Sequence, residues 1–276
     1  LPGSAESCAK STNRAGFVNA TAPPVRFGNL GSVTNDAAEV QEALAAVADP
    51  ADAGFLQRFF KTGPGEYGEG DVFIGVRVPQ TRAVAKRFEG MPLEQLDVLL
   101  DSPVHEHRLA GLIILNRAFE RASRPRDRDD AARERLAAFY LAAVRRGRVN
   151  NWDLVDSSAE FVLGAWLWDR PRDLLDELAA SDVLWERRVA VLATFAFIRR
   201  GDASTTLALA ERLLTDREDL MHKAVGWMLR EVGKRVDRAL LLAFLDEHAA
   251  RMPRTMLSYA SEHLDPHVRA EYRAAR

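Results

Sequence analysis

From Asp36 onward, apolar residues recur at spacings of three and four, and no stretch alternates in the two-residue rhythm of a half-buried strand. The pattern predicts helices, and after residue 90 it predicts them in pairs. Leu93–Leu100 goes with His105–Glu120, Asp129–Arg146 with Asn151–Trp168, Arg172–Ala180 with Leu184–Arg200, and Ala203–Thr215 with Glu218–Arg235. Asp237–Met252 and Arg254–His263 close the series. Pro79 opens an earlier helix at its first turn, where a missing N–H costs nothing. The second members begin near residues 105, 151, 184, 218 and 254, a period of about 33–46 residues. One such pair cannot bury its own apolar face, so the pairs are expected to stack into an all-α solenoid with a curved surface. The expected organisation is an irregular leader over 1–35 and one repeat domain over 36–276.

Two polar stretches interrupt the helices. The leader is rich in Gly, Ser, Thr, Pro and Asn. The run Gly63-Pro64-Gly65-Glu66-Tyr67-Gly68-Glu69-Gly70 lacks the Gly-Lys-Ser/Thr ending of a phosphate loop and is read as a flexible connector.

Composition narrows the function. The 276 residues carry 38 Lys and Arg against 40 Asp and Glu, a formal net charge of -2. Residues 1–60 account for that -2, so the remaining acids and bases cancel. A near-neutral total does not exclude a polyanionic partner, because helical spacing can gather the positive charge on one face. The single cysteine, Cys8, allows no intrachain disulfide, and a reducing, cytoplasmic setting is expected. Asn19-Ala20-Thr21 fits a glycosylation pattern that matters only in a secreted chain. No apolar run reaches the roughly 18 residues of a membrane span, so no membrane partner is expected. The six histidines lack metal-ligand spacing, and neither a metal nor another cofactor is expected.

Three segments break the helical pattern. In Asn151-Trp152-Asp153-Leu154-Val155-Asp156, Asn151 is a plausible N-cap and the two aspartates suit the positive end of a helix. The spacing supports a second reading. Trp152 and Asp156 are four apart and share a face, with Leu154, Val155 and Phe161 on the buried side. In Leu184-Trp185-Glu186-Arg187-Arg188-Val189-Ala190-Val191, neighbouring arginines point about 100° apart, so one lies near the apolar stripe unless both are simply solvated. An arginine held there recognises carboxylate or phosphate. In the third segment, Lys223, Trp227, Arg230 and Lys234 step by four, three and four beside a core face of Val225, Met228, Leu229 and Val232. A tryptophan inside a basic stripe suits a surface that follows phosphates while an aromatic face meets a sugar or base, although lysines snorkelling over a half-buried Trp give the same spacing. Trp166 and Trp168 are read as packing residues.

Taken in order with Gly75-Val76-Arg77-Val78-Pro79-Gln80-Thr81-Arg82 and His105-Glu106-His107-Arg108-Leu109-Ala110-Gly111-Leu112, these segments resemble the AlkD-type DNA alkylation repair proteins, which are HEAT-like DNA glycosylases. The resemblance runs from about Phe55 to the C-terminal end and has no counterpart for the leader. It implies an α-solenoid of HEAT-like antiparallel helix pairs with a concave DNA-binding surface. It also implies a monomer that acts, without flipping the base, on double-stranded DNA carrying N3- or N7-alkylated purines. By the same resemblance, Trp152, Asp156, Arg188 and Trp227 form the catalytic set. Arg188 holds a phosphate beside the lesion, and Arg230 and Lys234, with Lys223 from the stripe, contact the DNA backbone. In a bacterium such a protein works in the cytoplasm at the nucleoid. Val78 departs from the pattern, since some members carry a polar residue before the proline. A non-catalytic DNA-binding relative and a protein-interaction solenoid are the competing expectations.

Overall fold

The computed structural model describes residues 35–274, so the expectations for the leader, Cys8 and Asn19 lie outside the described residues. Every regular element among the described residues is helical; one isolated parallel bridge pairs Val72 with Val104. The helices are α1 (Ala37–Ala45), α2 (Pro50–Phe59), α3 (Val78–Ala85), α4 (Leu93–Leu100), α5 (His105–Ala122) and α6 (Asp130–Arg145). Next come α7 (Trp152–Asp156), a π-helical turn (Glu160–Gly164) and α8 (Ala165–Leu167). Then follow α9 (Asp173–Ala179), α10 (Leu184–Ala193), α11 (Phe195–Ile198), α12 (Ser204–Arg212) and α13 (Asp219–Arg235). The series ends with α14 (Arg238–His248), α15 (Arg254–Ala260) and α16 (Pro266–Ala274). No helix among the described residues is long and apolar enough to cross a membrane.

Local chemistry sets several helix starts. Asp36, Asp49, Asp129 and Asp237 each accept a backbone N–H of the first turn, the usual work of an N-cap carboxylate. The pairs then stack as the apolar rhythm requires. The inner row runs α5, α7 with its π turn, α10 with α11, α13 and α15, each packed on the next. Helices α4, α6, α9, α12 and α14 lie against this row from outside. One continuous apolar core fills the space between them, with Leu115, Leu154, Val155, Val189, Met228 and Val232 sealed from solvent. Val225, Met228, Leu229 and Val232 form the buried face of α13, as its pattern predicts. This is an α-solenoid of stacked antiparallel helix pairs.

Two expected helices are broken, and each break has a local cause. The helix expected over residues 151–168 stops after Asp156 and resumes as a π turn in which the Gly164 N–H reaches back to Ala159 O at 2.9 Å. The Ser158 hydroxyl donates to Leu154 O and meets Tyr140 Oη, a side-chain bond that competes with the helical ladder. The extra residue of the π turn shifts the face by one position. Val162 and Leu163 therefore turn inward, while Phe161, expected on the buried side, is 45% exposed. The helix expected over 184–200 breaks at Thr194, whose hydroxyl bonds Val191 O at 2.7 Å. Gly164 lets the π turn approach α10: a Cβ there would lie 2.1 Å from Ala193 O.

Candidate active site

Helix α7 is one and a half turns long, yet it presents both residues singled out by spacing. Asn151 caps it, its side chain accepting the Trp152 N–H at 2.8 Å. Leu154 and Val155 anchor its inner side in the core. Trp152 and Asp156 are left half-buried at the outer edge of that core, toward α10.

Asp156 meets Arg188 in a two-pronged ion pair, with Nε to Oδ1 and Nη2 to Oδ2 both at 2.9 Å. The third guanidinium nitrogen donates to Leu220 O at the start of α13. Arg188 is only 4% exposed, while 19% of the Asp156 side chain reaches the surface. Burial raises the Asp156 pKa above the ordinary carboxylate value, Arg188 pulls it back down, and nearby Asp153 pushes it up again. A phosphate was the expected partner of Arg188. The structure instead turns all three nitrogens toward protein acceptors, because α10 places the guanidinium in the crevice between α7 and α13. Its neighbour Arg187 goes to Asp216 and Ser181 O.

Trp152 is held by aromatic neighbours. Its ring stacks on Phe60 with centroids 5.2 Å apart and planes 16° apart, and Phe59 meets it edge-on at 6.2 Å. The indole N–H donates to the Tyr67 hydroxyl at 3.2 Å, and the Tyr67 ring meets Trp185 edge-on at 6.3 Å. Tyr67 comes from the glycine-rich run, so that segment forms a wall of the site as well as a connection between helices.

Beneath α7 lies a buried charged network that sequence reasoning did not reveal. His105, 1% exposed, contacts Asp71 through Nδ1 at 3.0 Å and Asp153 through Nε2 at 2.8 Å. Asp71 also accepts from the Asn151 amide at 3.1 Å and pairs with Arg108, which in turn reaches Asn150. Burial alone would strip the proton from His105. The carboxylates of Asp153 and Asp71 outweigh burial and the Arg108 charge, and raise its pKa to about 9. Burial opposes ionisation of Asp71 too, yet its hydrogen bond to His105 and the Arg108 charge hold its pKa below the ordinary value. A protonated His105 therefore ties the end of the glycine-rich run, through Asp71, to the cap and first turn of α7.

The other expected residues lie on the inner row. Trp227 packs against Phe195 with centroids 6.0 Å apart. Trp227 lies seven residues beyond Leu220 on α13, about 10 Å further along the helix axis. The structure thus pairs Asp156 with Arg188, puts Trp152 one turn before Asp156 on α7, and carries Trp227 on α13 two turns beyond the Leu220 carbonyl that Arg188 reaches. Lys223 pairs with Asp219 at 2.7 Å, and Arg230 pairs with Glu262 and, at 3.5 Å, Glu231. Lys234 is exposed beside a cavity of about 430 Å³ that Arg230, Arg238 and His263 also line. Glu160, one turn beyond Asp156, pairs with Arg199. Trp166 and Trp168 lie under arginines, Arg170 at 3.4 Å over Trp166 and Arg200 at 5.1 Å over Trp168.

Residues 40–264 match the family model of the DNA alkylation repair enzymes. The chain belongs to that family. The ordered stretches from residue 75 to residue 231 fall inside the matched range, so this is an AlkD-type repair protein. A solved structure described as a predicted DNA alkylation repair enzyme from Enterococcus faecalis shares the fold, with a TM-score of 0.61 and 18% identity. The match covers 79% of this chain and 97% of that one. No curated protein matches it. Within the family fold, Trp152 and Asp156 are the site residues whose shared face could be read in advance from spacing. Trp185, one turn before Arg188, was the visible but unused hint to the aromatic wall.

Proposed function

We propose that this member of the alkylation repair family is a monofunctional DNA glycosylase that hydrolyses the N-glycosidic bond of cationic N3- and N7-alkylpurines in duplex DNA. The observation that carries this reading is the Asp156 carboxylate, locked by two bonds to buried Arg188 and set one turn from the half-buried ring of Trp152. An alkylated purine with a formal positive charge is already a good leaving group, so no acid is needed to protonate it. One carboxylate then suffices where ordinary glycosidases use two. The C1′–N bond breaks with its electron pair passing to the base, and positive charge builds on the deoxyribose. Asp156 faces that charge and orients the water whose oxygen adds to C1′, taking up or passing on the water proton. Preorganised charge of this kind is commonly worth about 3–4 kcal/mol. The Trp152 face adds about 0.5–2 kcal/mol against a cationic sugar, and the same role is proposed for Trp227. Arg188 serves this chemistry by holding the carboxylate. With the protein working from the sugar and backbone, the lesion can stay stacked, and no lysine nucleophile is invoked, so the strand stays intact.

Release of 7-methylguanine or 3-methyladenine from methylated duplex DNA is the deciding measurement. Catalytic release by the wild type supports the reading. Salt-sensitive duplex binding with no base release would replace it with a non-catalytic DNA-binding protein. Backbone contacts are assigned to Lys223, Arg230 and Lys234. Lys223 and Arg230 must exchange a carboxylate partner for a phosphate, whereas Lys234 is exposed and makes no ion pair among the described residues. Lys234→Ala is therefore expected to reduce the slope of log affinity against log salt by about 1, and an unchanged slope would remove Lys234 from the interface.

A further inference from the structure

The glycine-rich run is a built turn. Gln57 Nε2 donates to Thr62 Oγ1 at 2.6 Å and to Asp71 O at 2.8 Å, closing the base of the turn. Gly68 N donates to Lys61 O, and the Glu66 and Glu69 carboxylates accept from Gly63 and Gly65. Gly65 and Gly70 take φ values of +75° and +87°, which L side chains rarely adopt. A Cβ on Gly68 would lie 2.5 Å from Phe60 O. The run is therefore fixed along its length, and its far end, Asp71, is clamped by His105, Arg108 and Asn151. Tyr67 is its side chain directed at the candidate site.

Trp152 has one polar atom, the indole N–H, and the Tyr67 hydroxyl accepts it. Phe60 stacks on one face of the indole, and Trp152 stays half-buried, so the hydrogen bond and the stack together fix the ring's orientation. Trp152 stands one turn before Asp156, and Trp185 one turn before Arg188. Helices α7 and α10 are thus joined twice, by the ion pair and by a Trp152–Tyr67–Trp185 chain.

We propose that Tyr67 is a positioning residue: its hydroxyl aims the Trp152 face at the sugar of the damaged nucleotide. This rests on the glycosylase reading for the role of Trp152, while the geometry behind it stands alone. A face that must meet developing positive charge acts fully only at the right angle, so losing the hydroxyl should reach the transition state more than ground-state binding.

The test is Tyr67→Phe, which keeps the ring that meets Trp185 and removes the hydroxyl that accepts the indole N–H. The expected result is kcat for 7-methylguanine release lower by about five- to tenfold with KM within about twofold. The unfolding temperature should stay unchanged and the Trp152 indole N–H resonance should shift. Tyr67→Ala, which also loses the Trp185 contact, should cost more. Unchanged kcat in Tyr67→Phe, a rise in KM alone, or a loss of kcat matched by a loss of unfolding temperature each overturns the proposal. Should the wild type release no base at all, the glycosylase reading fails separately. Tyr67 is then judged by affinity for a duplex carrying a cationic pyrrolidine in place of the damaged nucleotide. Weaker binding by Tyr67→Phe sustains the proposal, and equal binding ends it.

Discussion

Asp156→Asn is expected to slow release of 7-methylguanine by roughly 100- to 1,000-fold while binding to undamaged duplex stays near wild type. The amide keeps the shape of the carboxylate and removes the charge that the breaking glycosidic bond needs. Breaking a buried ion pair typically costs about 3–5 kcal/mol because the remaining charge is stranded, so unfolding must be followed in parallel. Duplex binding serves as the control that the solenoid is intact. The pH profile carries a second, independent signature. Asp156 must be ionised to act, and burial raises its pKa above the ordinary carboxylate value. Activity should therefore fall on acidification at a higher pH than an unperturbed aspartate would give. Arg188 is the group that pulls this pKa down. Arg188→Ala should move the acid limb further up in pH as well as lower the rate. An acid limb that stays in place would show that another group controls it, and full activity in Asp156→Asn would remove the proposed mechanism.

Stability is expected to fall by up to about 3 kcal/mol as the pH rises from 6.5 to 9, and His105 is the cause. Its folded pKa of about 9 exceeds the ordinary histidine value of 6.5, so the folded protein holds a proton that the unfolded chain gives up. The stabilisation is fully present below 6.5 and is lost as the pH passes through about 9. Below that window, protonated His105 sits between Asp71 and Asp153, with Arg108 as the nearby like charge. Chemical denaturation across the range should show the slope in the wild type and a flatter line in His105→Gln. A flat wild-type line would mean that the network holds no such proton. The same network caps α7, so kcat should decline on the alkaline side along with stability.

These two predictions rest on residues of different legibility. Asp156 could be singled out because its partner on the same helix, Trp152, is four positions away and helical geometry alone puts them together. Arg188 could be suspected because it interrupts an apolar run, yet its partner could not be read. A buried arginine can donate to a phosphate or to a carboxylate, and Asp156 lies 32 residues away. His105 gave no sign at all. Its partners lie 34 and 48 residues distant, and it looked like one of six scattered histidines. Tyr67 was hidden in a run whose glycines suggested mobility. The hydrogen bonds that fix the run come from Gln57 and from its own glutamates, and Tyr67 reaches Trp152 across 85 residues.

Apart from the breaks after Asp156 and at Thr194, the amino-acid sequence by itself determined most of the helices, their pairing and the buried face of α13. Those follow from the 3.6-residue period and from caps within a few positions, interactions confined to one stretch of chain. It also placed Trp152 with Asp156, and Lys223 with Trp227, Arg230 and Lys234, on shared faces. Only the tertiary structure decided that Asp156 meets Arg188, that Arg188 reaches the Leu220 carbonyl on α13, and that the glycine-rich run delivers a tyrosine to Trp152. Ion pairs and hydrogen bonds require atoms to come within about 3 Å. Between helices, that distance depends on how each pair stacks on the next and on the register shift at the π turn after Asp156. No local pattern encodes that register.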